Sequence, residues 1–537
     1  MRRHFTAVVA AAAASVLLSA AEPPPKLVVM VVVDQMRADY IDRFQANWSQ
    51  GLRRLVDEGA VFTRAAYPYL TTVTCAGHAT LATGAYPHVH GVFSNTWFNW
   101  SRNAVVPCTE DPKATVIEYG SAREGHMGPF ALMVPTLADQ MRGKGAHVVT
   151  MALKARSAIM LAGHGGDAVT WVSEQLDRWE TSTQYAQAPV PMVKAFVDAN
   201  PMRADFGKVW TRLLPADKYL DVDNGLREDP TKGWTTTFPH PLTGDGVARS
   251  ADALYYDQWQ HSPFADAYVA RMAIALVETA KLGKHADADF LGVSFSSPDL
   301  VGHAFGPHSQ EVQDMYARLD QSIGQLLSGL DRNVGVGQYV LALSADHGVT
   351  DIPEQLKQAG RDAGRINSAA LLEAGNKQAR DILGNGKYLS RITTNEVYFE
   401  PGMYAKAQAS PGALKAIVAA MSAQPGVRRV FTSDEIVQGK NTTEPQLRAA
   451  VLSYVPGRSG DLVISPKAGW MISGSGTTHG SDSPDDQHVP VVLFGRGVKP
   501  GRYDAPASPA DIAPTLASLA GVSLPDAEGR VLKEALR

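Results

Sequence analysis

The chain has 537 residues, 45% hydrophobic and 19% charged, with a formal net charge of −4. That composition supports a sizeable buried core and excludes global disorder. With no long basic run, a nucleic-acid partner is not expected. The length suits a large α/β enzyme carrying insertions.

Residues 1–21 read as a signal peptide. The start is basic (Met1-Arg2-Arg3), and the apolar run from Ala7 to Ala20 is too short to span a bilayer comfortably. Ser19 and Ala21 supply small residues at the −3 and −1 positions before Glu22. No later stretch is long and apolar enough to cross a membrane. The mature chain is therefore expected to be exported to the periplasm or secreted, with no membrane attachment after signal removal.

The two cysteines, Cys75 and Cys108, could form one disulfide in an oxidising compartment, a pairing the sequence leaves open. They are too few for a four-thiolate zinc site, so any metal here relies on imidazole and carboxylate.

Lys26 to Val33 is a continuous apolar, β-branched run, the pattern of a strand buried on both faces. It ends at Asp34. Similar runs follow: His147 to Leu153 ends at Lys154, and Phe290 to Phe295 leads to Asp299. Gln338 to Ala345 ends at Asp346-His347, and Val489 to Phe494 ends at Gly495. Helical segments, among them Pro263 to Leu282 and Gln310 to Leu330, separate them. The alternation predicts an α/β fold: a mainly parallel central sheet with helices on both faces. Polar residues gather just past the strands, the edge where such sheets bind ligands. Two regions break the pattern. Residues 205–241 read as an inserted loop or cap, and residues 375–441 as a small appended α/β lobe.

Tyr69 to Gly84 runs from hydroxyl-rich residues into a small-residue segment suited to start a helix, with Thr74 at the changeover. A hydroxyl there lies beside unpaired backbone N–H groups and the positive end of the helix dipole, a natural anion site. Alone, Thr74 reads as an ordinary cap; the rest of the chain changes that. Asp34, Asp299-x-x-x-His303, Asp346-His347-Gly348 and His479 (in Gly474 to Gly480) total three Asp and three His. That is enough for two ions with three protein ligands each, and mixed imidazole and carboxylate ligands with an open position suit catalytic Zn²⁺. Lys154 and Arg156 face the same side if the strand before them continues extended. Arg156 would offer a planar fork to phosphate oxygens and Lys154 a compact charge. Asn95 is a candidate neutral donor to an oxyanion.

Together these residues resemble the alkaline phosphatase superfamily. Within it they most resemble the bacterial periplasmic alkaline phosphatases with a threonine nucleophile, the PafA/PhoK-like branch, in order from about Val28 to about Phe494. The resemblance implies one catalytic domain over residues 22–537, with the two insertions. It implies two Zn²⁺ per chain: Asp299, His303 and His479 on one, and Asp34, Asp346 and His347 on the other. Thr74 would coordinate the second zinc and attack phosphorus, selected over Thr71 and Thr72 by the Thr-x-x-Gly77-His78 register. Asn95, Lys154 and Arg156 would contact the transferred phosphoryl group. His78 carries no ligand role, and Asp485, Asp486 and His488 are left as outer neighbours or surface. The expected activity is hydrolysis of small phosphate monoesters through a phospho-threonine. Alternatives are a phosphodiesterase or nucleotide pyrophosphatase of the same superfamily and, more remotely, an exported metal- or phosphate-binding protein. The physiological substrate and the oligomeric state stay open.

Overall fold

The computed structural model describes residues 22–120, 125–173, 177–247 and 250–537. The expected signal peptide, residues 1–21, lies outside them. Among the described residues, no helix is long and apolar enough to cross a membrane.

Strand β1, Leu27–Val33, is the axis of the molecule, and all seven residues are buried. Its alternation divides two cores. Leu27, Val29, Val31 and Val33 enter one, with residues of the long helices Pro263–Thr279 and Gln310–Asn333. Val28, Met30 and Val32 enter the other, with Leu81, Leu137 and Ile512. Helix layers on both faces explain why the strand is apolar throughout rather than alternating.

The remaining strands of the central sheet are β2 (Ala60–Phe62), β3 (Val116–Glu118), β4 (Val148–Ala152), β5 (Ala168–Val172), β6 (Trp179–Ser182), β7 (Asp289–Phe295), β8 (Tyr339–Ser344), β9 (Val491–Gly495) and β10 (Gly501–Tyr503). The ten lie in the order β10-β2-β9-β8-β1-β7-β4-β5-β6-β3. The middle run β8-β1-β7-β4-β5 is parallel throughout. β9, of the same apolar form as its neighbours, pairs antiparallel with β8; apolar periodicity carries no information on strand direction. The sheet is mainly parallel, as expected. Asp34, Lys154, Asp299 and Asp346 all follow the carboxyl ends of its middle strands.

Residues 205–241 form a short antiparallel pair, Val209–Trp210 with His240–Pro241. Asp314 on the long helix Gln310–Asn333 accepts from Trp210 Nε1 at 2.7 Å, the Leu213 N–H at 2.6 Å and the Tyr219 hydroxyl at 2.5 Å. The aromatic residues Trp210 and Tyr219 of the insertion are spent on that anchorage.

Residues 375–441 lie inside a larger lobe. Its antiparallel sheet runs Leu389–Thr393, Glu396–Phe399, Leu462–Pro466, Val427–Thr432, backed by helices Ser368–Leu383 and Ala413–Ser422. Leu371, Phe399, Ile417 and Ile464 give it a core of its own.

Glu396 is buried in this sheet, accepts a bond from the Gly460 N–H, and is pushed by burial up to about 8 from 4.5. The folded state therefore holds a proton that the unfolded chain releases near 4.5. Its stabilising effect is complete below that value and is lost as pH rises toward 8. We expect stability to fall over that window with a contribution of up to about 1.4 kcal/mol per pH unit from this group. In urea unfolding between pH 5 and 9, Glu396→Gln should flatten the slope; an unchanged slope would refute the assignment.

Candidate active site

Thr74 is the first residue of helix Thr74–Thr83, after extended Val73, and is almost fully buried. The Thr-x-x-Gly register has a physical cause: a Cβ on Gly77 would collide with the backbone of Asp346. Glycine there lets the helix close on the Asp346-His347 turn, and Thr74 Oγ1 comes to 3.5 Å from His347 Nε2. The Thr72 hydroxyl is committed to the Ser481 carbonyl.

Three histidines share one arrangement. His303 Nδ1 bonds the Thr477 carbonyl, His347 Nδ1 that of Gly348 and His479 Nδ1 that of Thr72, at 2.8, 2.9 and 2.8 Å. Bonding a carbonyl puts the proton on Nδ1 and leaves the Nε2 lone pair as donor, the tautomer a metal needs. Asp34, Asp346 and His347 have donor atoms within 4.8 Å of one another, and so do Asp299, His347 and His479. The first group is the expected one. In the second, His347 stands where His303 was expected. His303 Nε2 nevertheless lies 3.2 Å from Asp299 Oδ1. His347 and His479 stack with ring centroids 3.4 Å apart.

Lys154 Nζ bonds Asp34 Oδ2 at 2.6 Å and Asp299 Oδ2 at 2.5 Å, linking the two groups. Arg156 departs from the extended geometry expected for it. Lys154 ends the extended stretch, helix Ala155–Ala162 begins immediately, and Arg156 sits in its first turn. Its Nε is buried with no hydrogen-bond partner. Asn95 Oδ1 accepts from the Cys75 N–H at 2.8 Å. That bond fixes the amide plane and leaves Nδ2 as a donor. Cys75 and Cys108 form a disulfide, and the Cys108 N–H bonds the Asn95 carbonyl at 2.9 Å, so the Asn95 loop is tied to the helix start.

Burial pushes the Asp34 carboxyl well above its ordinary value, reinforced by Asp299 and Asp346. Burial acts upward on those two as well, but it is outweighed, by His303 and Lys154 for Asp299 and by His347 and His78 for Asp346, so both are held low. Burial lowers His347 and His479, against the pull of the neighbouring carboxylates. On His303 burial also acts downward, but Asp299 raises it. Asp34 Oδ1 is buried with no hydrogen-bond partner, and Asp346 Oδ2 is buried with His78 Nδ1 at 3.2 Å and His347 Nε2 at 3.5 Å. Buried carboxylate oxygens gathered with imidazole nitrogens fit divalent cations.

Gln35 was not singled out in the sequence. It is buried, holds φ +68°, and bonds both groups: its N–H to Asp346 Oδ1 at 3.1 Å and its Nε2 to Asp299 Oδ1 at 2.7 Å. A Cβ on Gly302 would collide with its side chain, so the glycine of Asp-x-x-Gly-His makes room for it. His78 spans the Thr74 carbonyl at 2.9 Å and Ser294 Oγ at 2.9 Å, with Asp346 Oδ2 3.2 Å from its Nδ1. Asp486 is buried and bonds Thr350 and Ser481, bracing the loop that carries His479. Asp485 lies 3.6 Å from Arg37 in an ion pair.

Fold and site together define a member of the alkaline phosphatase superfamily. A family model described as type I phosphodiesterase / nucleotide pyrophosphatase matches residues 28–488, and the chain belongs to this family. It is 32% identical to alkaline phosphatase PhoV of Synechococcus elongatus, over 94% of this chain and 92% of that protein. A Myroides odoratus protein named calcium-transporting ATPase is 31% identical over 94% and 93%. Alkaline phosphatase PafA of Elizabethkingia meningoseptica is 30% identical over 94% and 93%. The crystal structure of wild-type PafA superposes with a TM-score of 0.87 at 29% identity, covering 96% of this chain and all of that one. Family and relatives together indicate a phosphoric ester hydrolase.

Proposed function

We propose that the chain is an exported, zinc-dependent phosphatase that hydrolyses small phosphate monoesters through a phospho-Thr74 intermediate. The observation that carries this reading is the Thr74 hydroxyl at a helix start beside a buried carboxylate–imidazole cluster, with Lys154 bonded to two of its carboxylates and Arg156 two residues further on. Asp34, Asp346 and His347 would hold one ion, and Asp299, His303 and His479 the other. Bound there, zinc supplies Lewis-acid charge to the attacking and leaving oxygens.

The chain's own residues do the rest. Thr74 Oγ1 attacks phosphorus while the bond to the alcohol oxygen breaks in line. Asn95 Nδ2, Lys154 and Arg156 bind the non-bridging oxygens, where transition-state charge collects. Water then attacks phospho-Thr74, releasing phosphate and restoring the hydroxyl. Two cations on the phosphoryl oxygens favour a dianionic monoester over a monoanionic diester. The family's name keeps a phosphodiesterase as the second reading.

The deciding comparison is kcat/KM on p-nitrophenyl phosphate against bis-p-nitrophenyl phosphate. The monoester should be preferred, and Arg156→Ala should lower its turnover by on the order of 10²–10³ while affecting the diester less. Preference for the diester would reverse the assignment.

A further inference from the structure

A pocket of about 260 Å³ opens beside Asn95. Of the candidate metal ligands only His303 and His479 border it; Thr74, Asp34, Asp346 and His347 do not. In-line displacement places the leaving oxygen opposite the attacking one. With Thr74 assigned to the Asp34–Asp346–His347 group, the side bordered by His303 and His479 is the one the leaving oxygen would take.

Its outer wall comes from the lobe: Thr394, Asn395, Pro466, Trp470, Met471 and Ile472. All are uncharged. Asp486, also at the pocket, is buried and engaged by Thr350 and Ser481. The wall is fixed relative to the chemistry. Thr394 and Asn395 form the turn of the lobe's first hairpin, with Thr394 at φ +51°. Thr394 Oγ1 lies 3.1 Å from Ser94 Oγ, next to Asn95, and Asn395 Nδ2 donates to the Gly480 carbonyl, next to His479. One turn thus touches the neighbours of a phosphoryl-binding residue and of a candidate ligand. The Trp470 ring is held from behind: a Cβ on Gly364 or Gly426 would strike it. Its Nε1 donates to Asp362 Oδ1 at 3.1 Å.

Resting on the phosphatase reading above, we propose that this lobe wall is a leaving-group subsite selecting monoesters whose alcohol carries an aromatic or other apolar ring a few atoms from the ester oxygen. Trp470, Met471 and Ile472 are the apolar contacts such a ring would find on a lining that is otherwise largely polar. The volume is at the small end for organic ligands and suits a single ring.

The test compares 2-phenylethyl phosphate with ethyl phosphate, both esters of primary alcohols, so that leaving-group chemistry is nearly matched. The wild-type ratio of kcat/KM should be about tenfold or more in favour of the ring. Ile472→Ala should lower that ratio by roughly threefold or more, and Trp470→Ala further. Because the Trp470 ring also packs on Gly364 and Gly426, Ile472→Ala carries the test if Trp470→Ala does not fold. Equal efficiency on the two esters, or a ratio unmoved by Ile472→Ala, overturns the subsite alone. Turnover of neither ester alongside cleavage of bis-p-nitrophenyl phosphate overturns the subsite and the monoesterase reading together.

Discussion

Thr74→Ala is expected to lower kcat for p-nitrophenyl phosphate by on the order of 10⁴–10⁶, the scale seen when a catalytic nucleophile is removed. The substitution deletes the hydroxyl, and alanine is fully compatible with a helix start. Gly77, which sets the helix against the Asp346 backbone, is untouched. Metal content should therefore persist, and measuring it in parallel separates lost chemistry from a lost site. Thr74→Ser keeps a hydroxyl at the same position and should retain a substantial part of the rate. Thr72→Ala serves as the neighbouring control. Its hydroxyl bonds the Ser481 carbonyl, but it is the Thr72 backbone carbonyl that orients His479, and the substitution leaves that carbonyl in place. Acid quench of the wild type during turnover should trap phosphate on the Thr74 peptide. Activity of Thr74→Ala within about tenfold of wild type would end the covalent reading.

Much of the site was legible because its residues follow strands. A buried parallel strand needs an unbroken apolar run, so the first polar residue after it marks the ligand-binding edge, and Asp34, Lys154 and Asp346 stand there. Arg156 was assigned to the site on a geometry the chain does not adopt: the helix starts one residue after Lys154, and a short stretch of mixed residues carries no sharp signal for that switch. Gln35 escaped notice for a different reason. A non-glycine residue at positive φ has no sequence signature, and its bonds reach residues 264 and 311 positions away. The antiparallel direction of β9 is set by pairing with a strand about 150 residues earlier in the chain rather than by local pattern. Residue 441 fell inside the lobe because its central strand, Leu462–Pro466, arrives late in the chain.

Exhaustive chelation should abolish turnover and lower the melting temperature, and zinc should restore both. Asp34, Asp299 and Asp346 are buried side by side, and Asp34 is pushed well above its usual range partly by the other two. Lys154 is the only ammonium or guanidinium whose bonds to these carboxylates are seen among the described residues, and one positive charge does not balance three carboxylates. Divalent cations at the two donor groups would remove that repulsion in the folded state only, because the unfolded chain does not assemble the ligands. Binding should then stabilise by RT ln(1 + [L]/Kd), about 4 kcal/mol at a free concentration of a thousand times Kd. Asp346→Ala removes a ligand from the group beside Thr74 and should cut both the zinc-dependent rise in melting temperature and the rate, by at least about 10² in kcat. Calorimetry with and without zinc reads the first effect independently of catalysis. Full activity after complete metal removal, or a melting temperature indifferent to zinc, would be incompatible with a two-metal site built from these six residues.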